Sequence, residues 1–111
     1  MHPDYNQPVA DYPRFHARRD ANAVAYMDGK HQCSYGELNA RSNQVARALE
    51  AAGCEPGDRV AFIGVNSGSY VETFFGANKA KVTYVGVNWR LAPAELEFIL
   101  NDAGVKLIVA D

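Results

Sequence analysis

Cysteine and tryptophan are scarce in the 111 residues: Cys33 and Cys54 are the two cysteines, and Trp89 is the one tryptophan. Two cysteines build no disulfide framework, and these two have neither a CxxC nor a Cys/His metal spacing. They read as free thiols in a reducing compartment. The histidines His2, His16 and His31 are scattered among polar neighbours. With no second ligand at metal spacing, they read as surface residues, and no metal site is expected. Basic residues are not in excess either. Eleven Lys and Arg face 13 Asp and Glu, a formal charge of −2, so the electrostatic footprint of a nucleic-acid binder is missing. No run approaches the ~20 apolar residues of a membrane span. The opening MHPDYNQPVADYP lacks the apolar stretch of a secretory signal. The expected location is cytoplasmic.

What is present is ordinary for a soluble globular chain, with 48% hydrophobic and 22% charged residues. The length suits one domain or part of one. Residues 1–13, rich in Pro, Asp and Tyr, read as an extended arm, and residues 14–21 as a short helix. Val24 and Tyr26 alternate with smaller residues, and Asp28-Gly29 signals a hairpin with arms near 23–27 and 31–35. Ser34-Tyr35-Gly36-Glu37 fits a capping box. Behind it Leu38, Val45, Ala46 and Leu49 recur at helical spacing, which predicts a helix over 36–52 stopped by Gly53.

From there the pattern alternates. Glu55-Pro56-Gly57-Asp58 is a turn, and Arg59–Gly64 is an apolar run suited to a strand buried on both faces. Asn66 or Ser67 caps a helix running to residue 80, and Val82–Val87 is the next strand. Pro93 opens a helix with the stripe Leu96, Ile99 and Leu100, which Gly104 ends. Lys106–Ala110 is the last strand. The expected fold is α/β: an N-terminal hairpin, then alternating α-β units on a largely parallel sheet. The seven aromatics Tyr26, Tyr35, Phe62, Tyr70, Phe74, Phe75 and Tyr84 read as core rather than as the lining of an acyl tunnel. Neither G-x-G-x-x-G nor G-x-x-x-x-G-K-[ST] occurs. The nearest glycine-containing loop, Ile63–Gly68, reads as a plain strand–helix turn rather than a phosphate cradle.

A family resemblance emerges from an ordered series rather than from one short motif. The series is Ser34-Tyr35-x-Glu37-Leu38-Asn39, Pro56-Gly57-Asp58-Arg59-Val60, Asn66-Ser67, Phe74-x-Gly76-Ala77, Val87-Asn88-x-Arg90-Leu91, and Glu95-Leu96 with Ile99-Leu100. Over residues 14–111 the chain resembles the opening of the AMP-forming acyl-CoA synthetases. Through Asn88-Trp89-Arg90-Leu91 it is most similar to the fatty-acid–CoA ligases. The resemblance implies an enzyme that joins a carboxylic acid, such as a fatty acid, to AMP from ATP with release of pyrophosphate. Transfer of the acyl group to the thiol of CoA follows. Mg²⁺ and a lysine neutralise phosphate charge in the first step.

The same resemblance places no catalytic residue in this segment. The phosphate loop, the nucleotide contacts, the Mg²⁺-binding glutamate and the catalytic lysine lie further along such chains. Residues 14–111 are therefore expected to be the N-terminal portion of an adenylation domain, truncated before the phosphate-binding loop and inactive alone, with none of ATP, Mg²⁺ and CoA expected to bind it tightly. The end on an apolar strand fits that expectation. Arg90 stands where some relatives meet the phosphates of CoA, a role its planar fork suits. Trp89 offers a face for stacking or a lipid-facing anchor. The alternative for Arg90 is a cap or ion pair on the helix at 94–103, through Glu95.

Relatives often carry leucine at the position of Asn78, glycine at that of Lys81, and proline at those of Gly86 and Trp89. Lys79 and Lys81 read as cations on a helix C-terminal dipole, or as a basic spot for peripheral contact with anionic lipid. Two other readings share the fold. One is a self-contained, non-catalytic α/β module that binds a partner or a nucleotide. The other is a relative with a different acid or acceptor: an aromatic-acid ligase, a luciferase-like enzyme or a peptide-synthetase adenylation domain. Apolar faces left uncovered in a partial domain predict self-association.

Overall fold

The computed structural model describes residues 9–64 and 67–110. Residues 1–8 of the expected arm, His2 among them, lie outside the described residues. Val9–Asp11 form a 3-10 turn that runs into helix α1, Tyr12–Arg19. This corrects the expectation of an arm to residue 13. Pro13 does not delay the helix, because a proline in the first turn has no helical N–H to lose. His16 is also not a bare surface residue. Its ring packs 4.3 Å from that of Tyr12 and stacks 4.8 Å from that of Tyr35.

Strands β1, Val24–Asp28, and β2, His31–Ser34, form the antiparallel hairpin, with Asp28 opposite His31. The two loop residues are Gly29 and Lys30, one position later than the Asp-Gly signal suggests. Gly29 takes φ 61° at the first loop position, the pattern of a II′ turn, which suits the strand twist. Helix α2, Tyr35–Ala51, follows at once. Ser34 Oγ accepts the Glu37 N–H at 3.1 Å, and Glu37 Oε1 accepts the Ser34 N–H at 3.3 Å. The expected capping box is therefore formed on both sides.

The remaining elements are β3, Arg59–Gly64; α3, Gly68–Lys79; β4, Thr83–Asn88; α4, Pro93–Ala103; and β5, Leu107–Ala110. The three strands make a parallel sheet in the order β4-β3-β5. Alternation along the strands sorts the two faces. Val60, Tyr84, Leu107 and Val109 pack with Ala46 and Leu49 of α2 and Ala77 of α3. Ile108 points to the other face, where it lines a groove with Leu96 and Leu100 of α4. The crossover after β3 thus covers one face and the crossover after β4 the other.

The core is small. Val60 and Ala77 are fully buried, and Phe62 and Leu49 nearly so. Each large apolar side chain taken from water contributes about 1.5–3 kcal/mol. Helices α2 and α3 meet at Gly76, where an added Cβ would stand 2.5 Å from Val45 Cβ. A side chain of any size there would push the helices apart. Cys33 and Cys54 are both buried as free thiols.

Three helices end the same way. In α2 the N–H of Gly53 bonds Glu50 O and that of Cys54 bonds Leu49 O. In α4 Gly104 bonds Asn101 O and Val105 bonds Leu100 O. In α3 Lys81 bonds Asn78 O and Val82 bonds Ala77 O. Each is a Schellman ending, which needs a left-handed residue just past the helix. Gly53 and Gly104 supply it freely at φ 91° and 64°, but Lys81 adopts φ 62° with a full side chain.

Candidate functional site

Strands β3 and β4 are neighbours, but their following loops leave toward opposite faces of the sheet. Such a switch point opens a crevice beyond the carboxyl ends of the strands, the usual ligand position in open α/β sheets. The crevice here is about 540 Å³. Gly64 at the end of β3 forms one side, Gly86 to Asn88 of β4 the other, and Tyr70 of α3 the back; Trp89 and Arg90 stand at the mouth. Gly86 is small for a reason. A Cβ there would meet the Tyr70 hydroxyl at 3.3 Å, so glycine lets that phenol lie against the strand.

The loop after β4 is built by Asn88. Its Oδ1 accepts the Arg90 N–H at 3.0 Å, and its carbonyl accepts the Leu91 N–H at 3.2 Å. The side-chain bond is an Asx-turn, which sets the direction of the next two residues. Trp89 is then half exposed. The Arg90 guanidinium lies over its indole, 5.1 Å from the ring centroid, within cation–π distance. Among the described residues no carboxylate lies within ion-pair distance of Arg90. Glu95 does not hold it, because Glu95 Oε1 instead accepts the Ala92 N–H at 3.4 Å. The expected alternative, Arg90 tied to the following helix, is therefore not the arrangement formed.

The opposite wall is anchored from a distance. Ser67 stands at the start of α3 but makes no side-chain cap bond. Instead Asp28 Oδ2, from the hairpin, accepts the Gly68 N–H at 3.0 Å. A carboxylate there opposes the positive end of the helix dipole. Nearby, Glu72 Oε1 accepts from Tyr26 Oη at 3.0 Å and from Arg41 at 3.1 Å. Burial first, then the bonds to Cys33 and Glu72, push the Tyr26 hydroxyl well above its ordinary pKa. Hairpin, α2 and α3 are thus clamped together beside the crevice.

Of the seven aromatics expected in the core, Phe62 is buried and the other six are half-buried. Tyr84 packs edge-on to Tyr70 at 5.5 Å and to Phe74 at 5.6 Å, with Phe62 at 6.4 Å. The Tyr84 hydroxyl is buried and, among the described residues, has no hydrogen-bond partner. Lys79 departs from the sequence reading. It does not lie free beside the end of α3 but turns onto α2, where Nζ donates to Asn39 O, Asn39 Oδ1 and Asn43 Oδ1 at 3.2, 2.9 and 2.7 Å.

Of the residues singled out in the sequence, the crevice brings Trp89 and Arg90 together with Gly64. Val65 and Asn66 of the glycine-containing loop lie outside the described residues. Tyr70 and Gly86 were not singled out as site residues, since their meeting depends on the β3–β4 pairing. The capping role of Asp28 was hidden for a similar reason: its partner is 40 residues away. Among the described residues no cluster of His, Cys, Asp or Glu could hold a metal ion, and no helix is long and apolar enough to cross a membrane.

Comparison with known proteins places this geometry. Residues 14–111 match the AMP-binding enzyme family. A fatty acid–[acyl-carrier-protein] ligase of Streptomyces coeruleorubidus is 38% identical over 108 residues, which cover 97% of this chain and 21% of that protein. A feruloyl-CoA synthase of an Amycolatopsis species is 38% identical over 104 residues, or 94% of this chain and 21% of that protein. Among solved structures, the N-terminal domain of FACL13 from Mycobacterium tuberculosis superposes with a TM-score of 0.89 at 33% identity, over 94% of this chain and 27% of that one. The chain thus spans about a fifth of the length of these curated relatives. Family match, sequence identity and superposition agree: the chain belongs to the AMP-binding enzyme family, the adenylate-forming ligases.

Proposed function

We propose that these residues serve an ATP-dependent, AMP-forming ligase that activates a carboxylic acid, with fatty acids as the acid class and CoA as the acceptor. The acid class is supported by the fatty-acid relative and by the Asn88–Leu91 sequence, and the acceptor by the CoA synthase relative. Within that reading, Arg90 binds a phosphate of CoA and Trp89 supports it. The observation that carries this is an arginine with no carboxylate partner among the described residues, set over an indole where both line the switch-point crevice. A guanidinium so set loses little freedom when it meets a phosphate, and its fork bonds two oxygens at once. The pinned turn at Asn88 fixes where that charge stands.

ATP would supply the activation of the acid, and Mg²⁺ would screen its phosphates. The contribution proposed for these residues is to bind and orient the acceptor. The 111 residues alone are proposed to be inactive as a ligase, because the family resemblance places the phosphate loop and the catalytic lysine further along such chains.

The test is calorimetric titration of CoA, and of dephospho-CoA, into the purified chain and its Arg90→Ala variant. Binding is expected to weaken about tenfold in the variant, the loss of one charge-assisted contact. Equal affinity of both proteins for CoA would overturn the assignment of Arg90. Acid-dependent pyrophosphate release by the 111-residue chain with ATP and Mg²⁺ would overturn its inactivity.

A further inference from the structure

Helix α3 has twelve residues, a length of about 18 Å at 1.5 Å per residue. The crevice lies at its amino end. Its carboxyl end opens into a second cleft of about 590 Å³. Arg14 lines this cleft from α1, Asn39 and Asn43 from α2, and Asn78, Lys79 and Lys81 from the end of α3. Asp11, the one carboxylate in the lining among the described residues, is engaged by Arg14 at 3.2 Å.

Lys79 organises the cleft without being its free cation. All three of its contacts are neutral oxygens of Asn39 and Asn43. Holding both amide oxygens leaves the two NH₂ groups, which have no acceptor among the described residues, as the donors this wall offers. The Asn78 amide is engaged the other way round, its Nδ2 donating to Phe74 O at 2.8 Å, so it is not counted among these donors. Burial first, and then the charge of Arg14, pull the Lys79 pKa down, with Asp11 opposing them.

Lys81 adds a third cation at a position where the backbone disfavours any side chain. The equivalent positions after α2 and α4 are glycines. The α3 carbonyls that would repel an anion are partly consumed, since Gly76, Ala77 and Asn78 O accept from Ala80, Val82 and Lys81 N–H.

Three cations and the Asn39 and Asn43 amide donors thus line one cleft against a single carboxylate. The complementary ligand is an anion with several acceptor oxygens on one centre. We propose that this cleft binds a phosphate group through Arg14, Lys81 and the side-chain amides of Asn39 and Asn43. The same chemistry is offered by free phosphate and by a phospholipid headgroup, and the test separates them. The site does not depend on the role given to Arg90, because it is at the other end of α3.

The experiment is a ¹H–¹⁵N titration of the 111-residue chain with sodium phosphate, against sodium chloride at matched ionic strength. A parallel sedimentation assay uses phosphatidylcholine vesicles with and without phosphatidic acid. The expected result is saturable movement of the Asn39 and Asn43 side-chain NH₂ signals with phosphate and not with chloride. Arg14→Gln and Lys81→Gly should each weaken it about tenfold, one charge-assisted contact apiece. Lys81→Gly is expected to relieve backbone strain, and its urea midpoint, measured alongside, separates a loss of binding from a loss of folding. If only phosphatidic-acid vesicles bind, and both variants reduce that binding, the occupant is a headgroup. Equal shifts with chloride and no vesicle binding, or undiminished binding by both variants, would overturn the proposal.

Discussion

Lys81 shows how one residue can run against its backbone. A left-handed conformation costs a residue with a Cβ about 1–2 kcal/mol, offset in part by the greater unfolded-state freedom of glycine. The hydrogen bonds of the ending are made by backbone alone, so Lys81→Gly keeps them. Stability to urea should rise by about 1 kcal/mol; an unchanged or lower midpoint would mean that the lysine side chain contributes contacts worth as much as the strain. Tyr84 is the second case. Its buried hydroxyl lacks a partner among the described residues, and an unsatisfied buried group costs about 1–3 kcal/mol. Tyr84→Phe should therefore stabilise by about 1 kcal/mol.

The tyrosines also set the alkaline limit. Burial pushes Tyr84 and Tyr26 well above the ordinary 10.0, and the Tyr12 hydroxyl, with burial, pushes Tyr35 to about 12. A raised folded pKa means that the fold holds the proton more tightly than the unfolded chain. That stabilisation is complete below pH 10.0 and is lost as pH rises, for Tyr35 between 10.0 and about 12. Lys79 has the opposite sign: its lowered pKa makes stability rise with pH just below 10.5. Urea midpoints measured from neutral to alkaline pH should fall above pH 10.0, and the fall should be shallower in Tyr84→Phe.

Elements were legible where their signals are local. The capping box at Ser34, the glycine stops at 53 and 104, and the turn at Pro56-Gly57 each act within four residues, so pattern alone finds them. The start of α3 was not legible in this way. Of the two expected caps, Asn66 lies outside the described residues and Ser67 makes no side-chain cap bond, while Asp28 in the hairpin accepts the Gly68 N–H. Nothing local in the sequence couples positions 28 and 68. The crevice was half legible for the same reason: Arg90 and Trp89 sit in a recognisable loop, while Tyr70 and Gly86 join them only once β3 pairs with β4. The tertiary cap is directly testable. Asp28→Ala should cost about 1 kcal/mol, in the range of lost caps and of a lost carboxylate at a helix dipole. Asp28→Asn, which keeps an acceptor but not the charge, should cost less. Amide exchange of residues 69–71 should speed up in the alanine variant more than exchange in α2. Uniform acceleration across both helices would mean that Asp28 supports the whole fold rather than this one end.

At the scale of the molecule the two faces of the sheet are unequal. Helices α2 and α3 bury one face, but α4 buries none of its own eleven residues, and Phe98 is 70% exposed. Leu96, Leu100, Val105 and Ile108 line a groove between α4 and β5, and Ile108 is 48% exposed. Among the described residues β5 pairs only with β3, so its outer edge carries unpaired backbone groups. An apolar groove beside an open edge strand is the combination that draws strands of other molecules together. The formal charge of −2 gives little repulsion to oppose it. We propose that the isolated chain self-associates through this face, with a second copy laying its own β5 along the first. The average mass from light scattering should then rise with concentration. Ile108→Lys, which puts a charge on the open edge, should return it toward 12.1 kDa, and Phe98→Glu should act in the same direction by making the outer side of α4 polar. Arg90→Ala, at the opposite corner of the sheet, should leave association unchanged. A constant monomer mass across the concentration range would show that α4 and the edge of β5 are adequately hydrated as they stand.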